Sequence, residues 1–355
     1  MSILITILVL GVLVLVHEWG HFIVAKKNGI MVEEFAIGMG KKLFSIQGKE
    51  TEYTIRMIPM GGFCRMEGAD GEGQIGERSF LNKSIGARFA VMAAGATMNF
   101  LLALVLLFGL GITSYQVIPV ISSIVEDSAA AASGLQVGDE IIGIDGQNIH
   151  IYDELQYILS ENTGESLDLK VLRGGGIYEY RITPRLDTER NAYLIGFVPT
   201  VVGGLLTEDV EGVAKASVFD TMQYSYYSML NYIKLTAEGL VRVFTFTASQ
   251  EEYGGPITIV QVVGDSYDAG MTIGLSAAVQ NIVYIAAVLS ANLGVLNLFP
   301  IPGLDGGKIL LLGIEAVRGK PMSEEMENKI QFLGFVFLVG FMIFIFMSDI
   351  VKLFV

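Results

Sequence analysis

A chain of 355 residues that is 52% hydrophobic and only 17% charged is poorer in charge than an ordinary soluble domain, which carries about 25%. A single cysteine, Cys64, excludes an internal disulfide framework and every cysteine-rich zinc or iron–sulfur site. Only three histidines, His17, His21 and His150, are present, so carboxylates must complete any metal site. The net charge of −14 argues against nucleic acid as a partner, because phosphate recognition needs a basic surface.

The first element in chain order is an apolar run from Ile3 to Ala25, broken only by His17, Glu18 and His21. It is long enough to cross a bilayer, which takes about 20 residues. It lacks a basic n-region and a small-x-small cleavage site and is followed by Lys26 and Lys27, so it is expected to stay in the mature protein. Within it, His17-Glu18-Trp19-Gly20-His21 is an H-E-x-x-H motif. On a helix, positions i and i+4 face the same way, so both imidazoles can bind one zinc ion. Glu18 then lies beside the metal, where a carboxylate can take a proton from a zinc-bound water. Ionisable groups in a membrane span are costly and usually functional. The 14 residues from Ile3 to Val16 cover ~21 Å, which puts the motif inside the bilayer, nearer the cytoplasmic end.

Next, Glu52–Ile58 and Gly62–Met66 read as a hairpin turned at Pro59-Met60-Gly61-Gly62, with Tyr53, Ile55 and Met57 on one face. Such a sheet beside a membrane site could hold a substrate as an added strand, or be plain structure. A second uncharged span runs from Phe89 to Ile112. From about Pro119 to Leu186, strand-like runs (Glu140–Ile144, Ser166–Leu172) alternate with Gly and Asp turn signals, and Ala129–Ala132 and Asp153–Ser160 suit short helices. Residues 220–250 carry Tyr224, Tyr226, Tyr227 and Tyr232, but Lys234, Glu238 and Arg242 break the apolar run. An amphipathic helix lying at the interface fits better than a span.

A further candidate span, about Ala277–Phe299, is apolar yet contains Gln280, Asn281, Asn292 and Asn297. It leads into Asn297-Leu298-Phe299-Pro300-Ile301-Pro302-Gly303-Leu304-Asp305-Gly306-Gly307, where prolines and glycines forbid a continuous helix. Broken backbone at membrane depth is tolerated where it lines a cavity or is buried in protein. Asp305 is therefore the best candidate for the third metal ligand; the alternative is that it merely caps a helix beginning at Gly306. His150 lies in the acidic middle region and reads as an ordinary surface histidine. The last span falls between Lys329 and Asp349.

Basic residues set the orientation. Residues 26–88 hold ten Lys/Arg against eight Asp/Glu, whereas residues 113–224 hold six against seventeen. The first loop is then cytoplasmic and the acidic middle faces outward. The expected architecture is a polytopic α-helical membrane protein of about four transmembrane helices, with an inserted extracytoplasmic β-rich domain. Its parts would be 1–112 (two helices and the cytoplasmic hairpin), 113–200 (the inserted domain), 201–275 (the interfacial region) and 276–355 (the last two helices).

The string Ala131–Gly146, AASGLQVGDEIIGIDG, resembles a bacterial PDZ domain; such domains receive peptides by strand addition, or this copy could bind nothing. H-E-x-x-H in a first span, a PDZ-like insert and Asn297…Leu304-Asp305-Gly306 together resemble the bacterial site-2-type intramembrane zinc metalloproteases, and most closely the regulator-of-sigma-factor proteases. The glycine-rich stretch after Pro59, Asn99 in the second span and Gly255-Pro256-Ile257 extend the likeness over nearly the whole chain. Ala96 stands where many relatives have proline, and there is room for one PDZ-like domain where some have two. The resemblance implies zinc held by His17, His21 and Asp305, with Glu18 as general base. It also implies that Asn297 contacts the substrate backbone and that Tyr53, Ile55 and Met57 belong to a substrate-gripping sheet. The implied substrates are single-span membrane proteins already trimmed by an upstream site-1 protease, such as anti-sigma factors, or remnant signal peptides. The implied location is the bacterial cytoplasmic membrane. Two other readings are a catalytically silent PDZ adaptor and a metal transporter. The first predicts a broken motif, and the second has no use for Glu18.

Overall fold

The computed structural model describes residues 1–69, 76–188, 192–249 and 253–354. They form two compact units, Met1–Leu106 together with Tyr232–Val355, and Leu107–Asn231.

The first unit begins with α1 (Ser2–Lys27), an uninterrupted helix of apolar residues with Lys26 and Lys27 in its last turn, where cations oppose the helix dipole. β1 (Val32–Gln47) and β2 (Glu52–Met66) follow, reversing at residues 48–51, where the Gly48 N–H donates to the Thr51 carbonyl at 2.9 Å. The reversal expected at Pro59–Gly62 is present within Glu52–Met66, but its two arms do not pair with each other: residues 35–37 of β1 lie between them, parallel to 53–55 and antiparallel to 62–64. Phe35 is in register with Cys64 on one side and with Tyr53 on the other, and residues 42–47 pair with 52–56. Glu34, fully buried, ties the layers together. It accepts Thr54 Oγ1 at 2.7 Å and Arg56 Nη2 at 2.6 Å, and its other oxygen meets Arg65 Nη2 at 3.0 Å. Many apolar side chains of this sheet are exposed, among them Ile37, Leu43, Phe44, Ile46, Ile55 and Met57.

Helix α2 (Ile85–Thr113) carries the chain out of the first unit. In the second, β3 (Tyr115–Ile124), α3 (Ala129–Ser133), β4 (Glu140–Ile144), β5 (Gln147–Asn148), α4 (Tyr152–Glu161), β6 (Leu167–Arg173), β7 (Gly176–Ile182), β8 (Arg185–Asp187), β9 (Ala192–Leu194) and β10 (Phe197–Gly203) build a small β-rich domain. Its main sheet runs β10-β3-β4-β6-β7, with β5 on β4, and β8 pairs β9 separately. Alternate residues of the strands (Ile141, Leu167, Leu169, Val171) meet Leu155 of α4 in a buried core. The Arg173 guanidinium grips the buried Asp139 carboxylate through two bonds of 2.6 and 2.7 Å. His150 is exposed, as expected, and its ring stacks on Tyr227 at 3.9 Å.

The chain returns through α5 (Val218–Phe244), followed by α6 (Pro256–Ile273), α7 (Leu275–Leu298), α8 (Asp305–Arg318) and α9 (Glu324–Lys352). Among the described residues four helices, α1, α2, α7 and α9, are long and apolar enough to cross a membrane; α5, amphipathic as expected, is not among them. The protein is therefore a polytopic α-helical membrane protein with an inserted β-rich domain. Helix α6 was not anticipated. It starts with proline at its first position, which suits a residue with no N–H to satisfy. Its remaining first-turn donors are met from another helix. The buried Asp349 of α9 accepts Gly255 N–H at 2.9 Å, Ile257 N–H at 2.9 Å, Thr258 N–H at 3.1 Å and Thr258 Oγ1 at 2.7 Å.

Candidate metal centre

Helical spacing on α1 puts His17 and His21 on one face, buried, with their Nε2 atoms 3.2 Å apart. Asp305 Oδ2 lies 3.1 Å from each. Asp305 is brought there by the break after α7. The chain leaves the helix at Phe299, passes Pro300 and Pro302, and re-enters helix at Asp305 itself, with Leu304 as the cap. Gly306 makes this possible, because a Cβ there would collide with the carbonyl oxygens of Leu298 and Phe299. The carboxylate is therefore turned toward the imidazoles rather than capping a helix that starts one residue later.

Two imidazole nitrogens and a carboxylate oxygen cannot present lone pairs to one another at this range without a cation or proton between them. The three atoms form a near-equilateral triangle with edges of 3.1–3.2 Å. Tetrahedral zinc, with bonds of 2.0–2.1 Å, sets its ligands about 3.4 Å apart. Asp305 Oδ2 is buried and has no hydrogen-bond partner, as a ligand oxygen awaiting a metal would be. The donor set, two imidazoles and one carboxylate, is that of catalytic zinc with a position left open. Among the described residues this trio is the cluster of three with the reach to hold a metal ion.

The centre is closed on one flank by α2. Gly95 lies so near that a Cβ would stand 2.5 Å from both His17 Cε1 and His21 Nε2. The Val91 carbonyl accepts His21 Nδ1–H at 2.8 Å, and the amides of Asn99 and Asn297 stand 3.2 and 3.4 Å from His17 Nδ1. Glu18, half-buried, faces β2 where the strand passes at Gly62. Burial, and then the neighbouring Glu18, push the Cys64 thiol up to about 12.

Of the residues expected from sequence, His17, His21 and Asp305 converge, with Glu18 on the same turn and Asn297 at the rim. Tyr53, Ile55 and Met57 are exposed on the sheet, and Tyr53 packs edge-on to Phe22 of α1. Trp19, Phe22, Phe35, Phe44, Tyr53 and Ile55 line an apolar hollow of about 310 Å³ there. Val91 and Gly95 gave no signal of their own, because their role arises only when α2 packs on α1. Arg88, one turn earlier, forms a bidentate ion pair with Glu315 that binds α2 to α8, with contacts of 3.0 and 2.5 Å.

The pattern of peptidase family M50 matches residues 5–341. The zinc metalloprotease RasP of Shouchella clausii is 31% identical over 430 aligned positions, covering 98% of each chain. RasP of Oceanobacillus iheyensis is 32% identical, again over 98% of each. The regulator of sigma-W protease RasP of Bacillus subtilis is 28% identical over 98% of both chains. Among solved structures, the PDZ domain of an SdrC-like protein from Listeria monocytogenes matches 24% of this chain and 86% of its own, at 26% identity and a TM-score of 0.21. With His17 and His21 of α1 meeting Asp305 of the helix after the break, and with these likenesses over its whole length, the chain belongs to peptidase family M50, the site-2 proteases, and is a zinc metalloprotease.

Proposed function

We propose that this zinc metalloprotease cuts peptide bonds within transmembrane segments of single-span membrane proteins, with His17, His21 and Asp305 holding zinc and Glu18 as general base. The observation that carries the reading is the meeting of Asp305 with the paired imidazoles of α1 across almost the whole chain. When bound, zinc acts as a Lewis acid that renders water nucleophilic near neutral pH and polarises the carbonyl under attack.

The protein's own groups do the rest. An α-helix hides its amides in internal hydrogen bonds, so a substrate helix must unwind before its carbonyl is reachable. The sheet of β1 and β2, apolar on its exposed face, offers unwound chain a pairing edge, with Tyr53, Ile55 and Met57 against its side chains. Asn297, half-buried beside His17, hydrogen-bonds the substrate backbone next to the scissile bond. Glu18 takes the proton of the attacking water and returns it to the departing amine. The basic loop 26–88 faces the cytoplasm and the PDZ-like domain the opposite side, so the metal centre lies nearer the cytoplasm. Substrates of the anti-sigma-factor kind, trimmed first by a site-1 protease, or remnant signal peptides, suit this placement. The name of the Bacillus subtilis relative accords with the former.

Glu18→Gln tests the assignment. The variant should bind zinc in the wild-type ratio, cleave a single-span model substrate at least a hundredfold more slowly, and retain uncut substrate in cells. Normal cleavage by the variant would remove Glu18 from the mechanism.

A further inference from the structure

Helix α2 meets the two imidazoles along one stripe, Val91, Gly95 and Asn99, spaced i, i+4, i+8. Gly95 is the floor. Val91 answers the outer nitrogen of His21, its carbonyl accepting Nδ1–H at 2.8 Å. The outer nitrogen of His17 has two neighbours, Asn99 at 3.2 Å and Asn297 at 3.4 Å.

We propose that Asn99 is a positioning residue for the zinc site: its side-chain oxygen accepts Nδ1–H of His17 and holds that ring with Nε2 turned to His21 and Asp305. The proposal rests on the reading of His17 as a ligand through Nε2. An imidazole that gives the Nε2 lone pair to a metal carries its proton on Nδ1, and a buried N–H needs an acceptor. Were Asn99 to offer its NH₂ instead, the ring proton would have to sit on Nε2, pointing at Asp305, and the ring could not face a cation. Asn99 Oδ1 is itself buried without a hydrogen-bond partner. Turning the amide about its last side-chain bond brings this oxygen to the ring, where it accepts Nδ1–H.

Asn99 rather than Asn297 takes this part because of enclosure. Asn99 is fully buried, and its backbone carbonyl accepts Ser290 Oγ–H at 2.8 Å, which pins α2 to α7 at that level. No incoming chain can reach it. Asn297 is half-buried at the rim and stays available to substrate.

The test measures zinc affinity of the full-length protein in detergent micelles by competition with a chelator. Asn99→Leu, similar in size but with no acceptor, should weaken zinc binding about 10–100-fold. Asn99→Asp should stay within about threefold of wild type, and Asn297→Leu should do likewise. Wild-type affinity in Asn99→Leu, or the large loss in Asn297→Leu instead, overturns the proposal. If Asn99→Leu does not fold, the conservative variant decides by NMR of ring-labelled histidine. A carboxylate acceptor in Asn99→Asp should move the His17 Nδ1–H resonance downfield, and an unmoved resonance overturns the proposal. His17→Ala separates the two levels: unchanged zinc affinity there would defeat the ligand reading itself, whereas loss of zinc there with none in Asn99→Leu defeats only the role of Asn99.

Discussion

A methyl group on residue 95 would have to share space with His17 Cε1 and His21 Nε2, 2.5 Å from each. Real Cβ atoms do not approach so closely, and neither ring can retreat, since Val91 holds one and α1 is packed behind both. Gly95→Ala is therefore expected to reduce bound zinc from one per chain to less than a tenth, as read by elemental analysis of the purified protein. Helix content should stay unchanged, since alanine favours a helix over glycine. Full occupancy in this variant would mean that α2 does not lie against the rings. The contrast with His17 and His21 explains what sequence could reveal. Their relation is local, fixed by the four-residue repeat of one helix, and is legible without any fold. Gly95 is one of many glycines in an apolar span until α2 is laid across α1.

At the level of elements, long-range pairs decide how pieces meet. Arg88 and Glu315 are largely buried, with side-chain exposures of 9% and 14%, and they join α2 to the helix that opens with Asp305. Arg88→Met leaves the Glu315 carboxylate buried and alone, and should lower stability by about 3–5 kcal/mol in an SDS-unfolding titration. The double variant Arg88→Met/Glu315→Met should recover most of the loss; if it does not, packing rather than charge is at stake. In the β-rich domain, the Arg173 guanidinium holds the Asp139 carboxyl below the usual carboxylate range. A group depressed in this way contributes stability above its unfolded pKa of about 3.9 and loses it as pH falls further. Hydrogen-exchange protection of β4 and β6 should accordingly fall between about pH 5 and 3, and Asp139→Asn should be less protected at pH 7 and flatter across that window.

The pairing of the hairpin's arms belongs to this scale too. Proline and two glycines at 59–62 do mark a reversal, as Gly48–Thr51 does, but the arms on either side of 59–62 are held apart by residues 35–37. The register is chosen by Glu34 meeting Thr54, Arg56 and Arg65 from both neighbours, a long-range arrangement that no local pattern announces. The Gly255-Pro256 start of α6 was visible as letters, but its stabilising carboxylate, Asp349, lies in another helix.

For the whole molecule, the spans were legible because apolar length is a one-dimensional property: α1, α2, α7 and α9 each fall within a few residues of the runs read from sequence. Their sidedness is a prediction of charge bias. In a Cys64→Ala background, a cysteine at Asn148 should react with an impermeant maleimide added to intact cells. One at Lys49 should react only after permeabilisation. The opposite pattern would invert the proposed orientation, and the same response at both positions would abolish it.

The wall that α2 makes behind the imidazoles restricts approach to them. With only hydrogen at position 95, nothing the size of a water molecule fits on that flank. In the proposed reaction, a peptide would come from the side where β2 passes Glu18. The side from which the paired imidazoles can be reached is thus set by how two helices lie together rather than by any group that takes part in the proposed reaction.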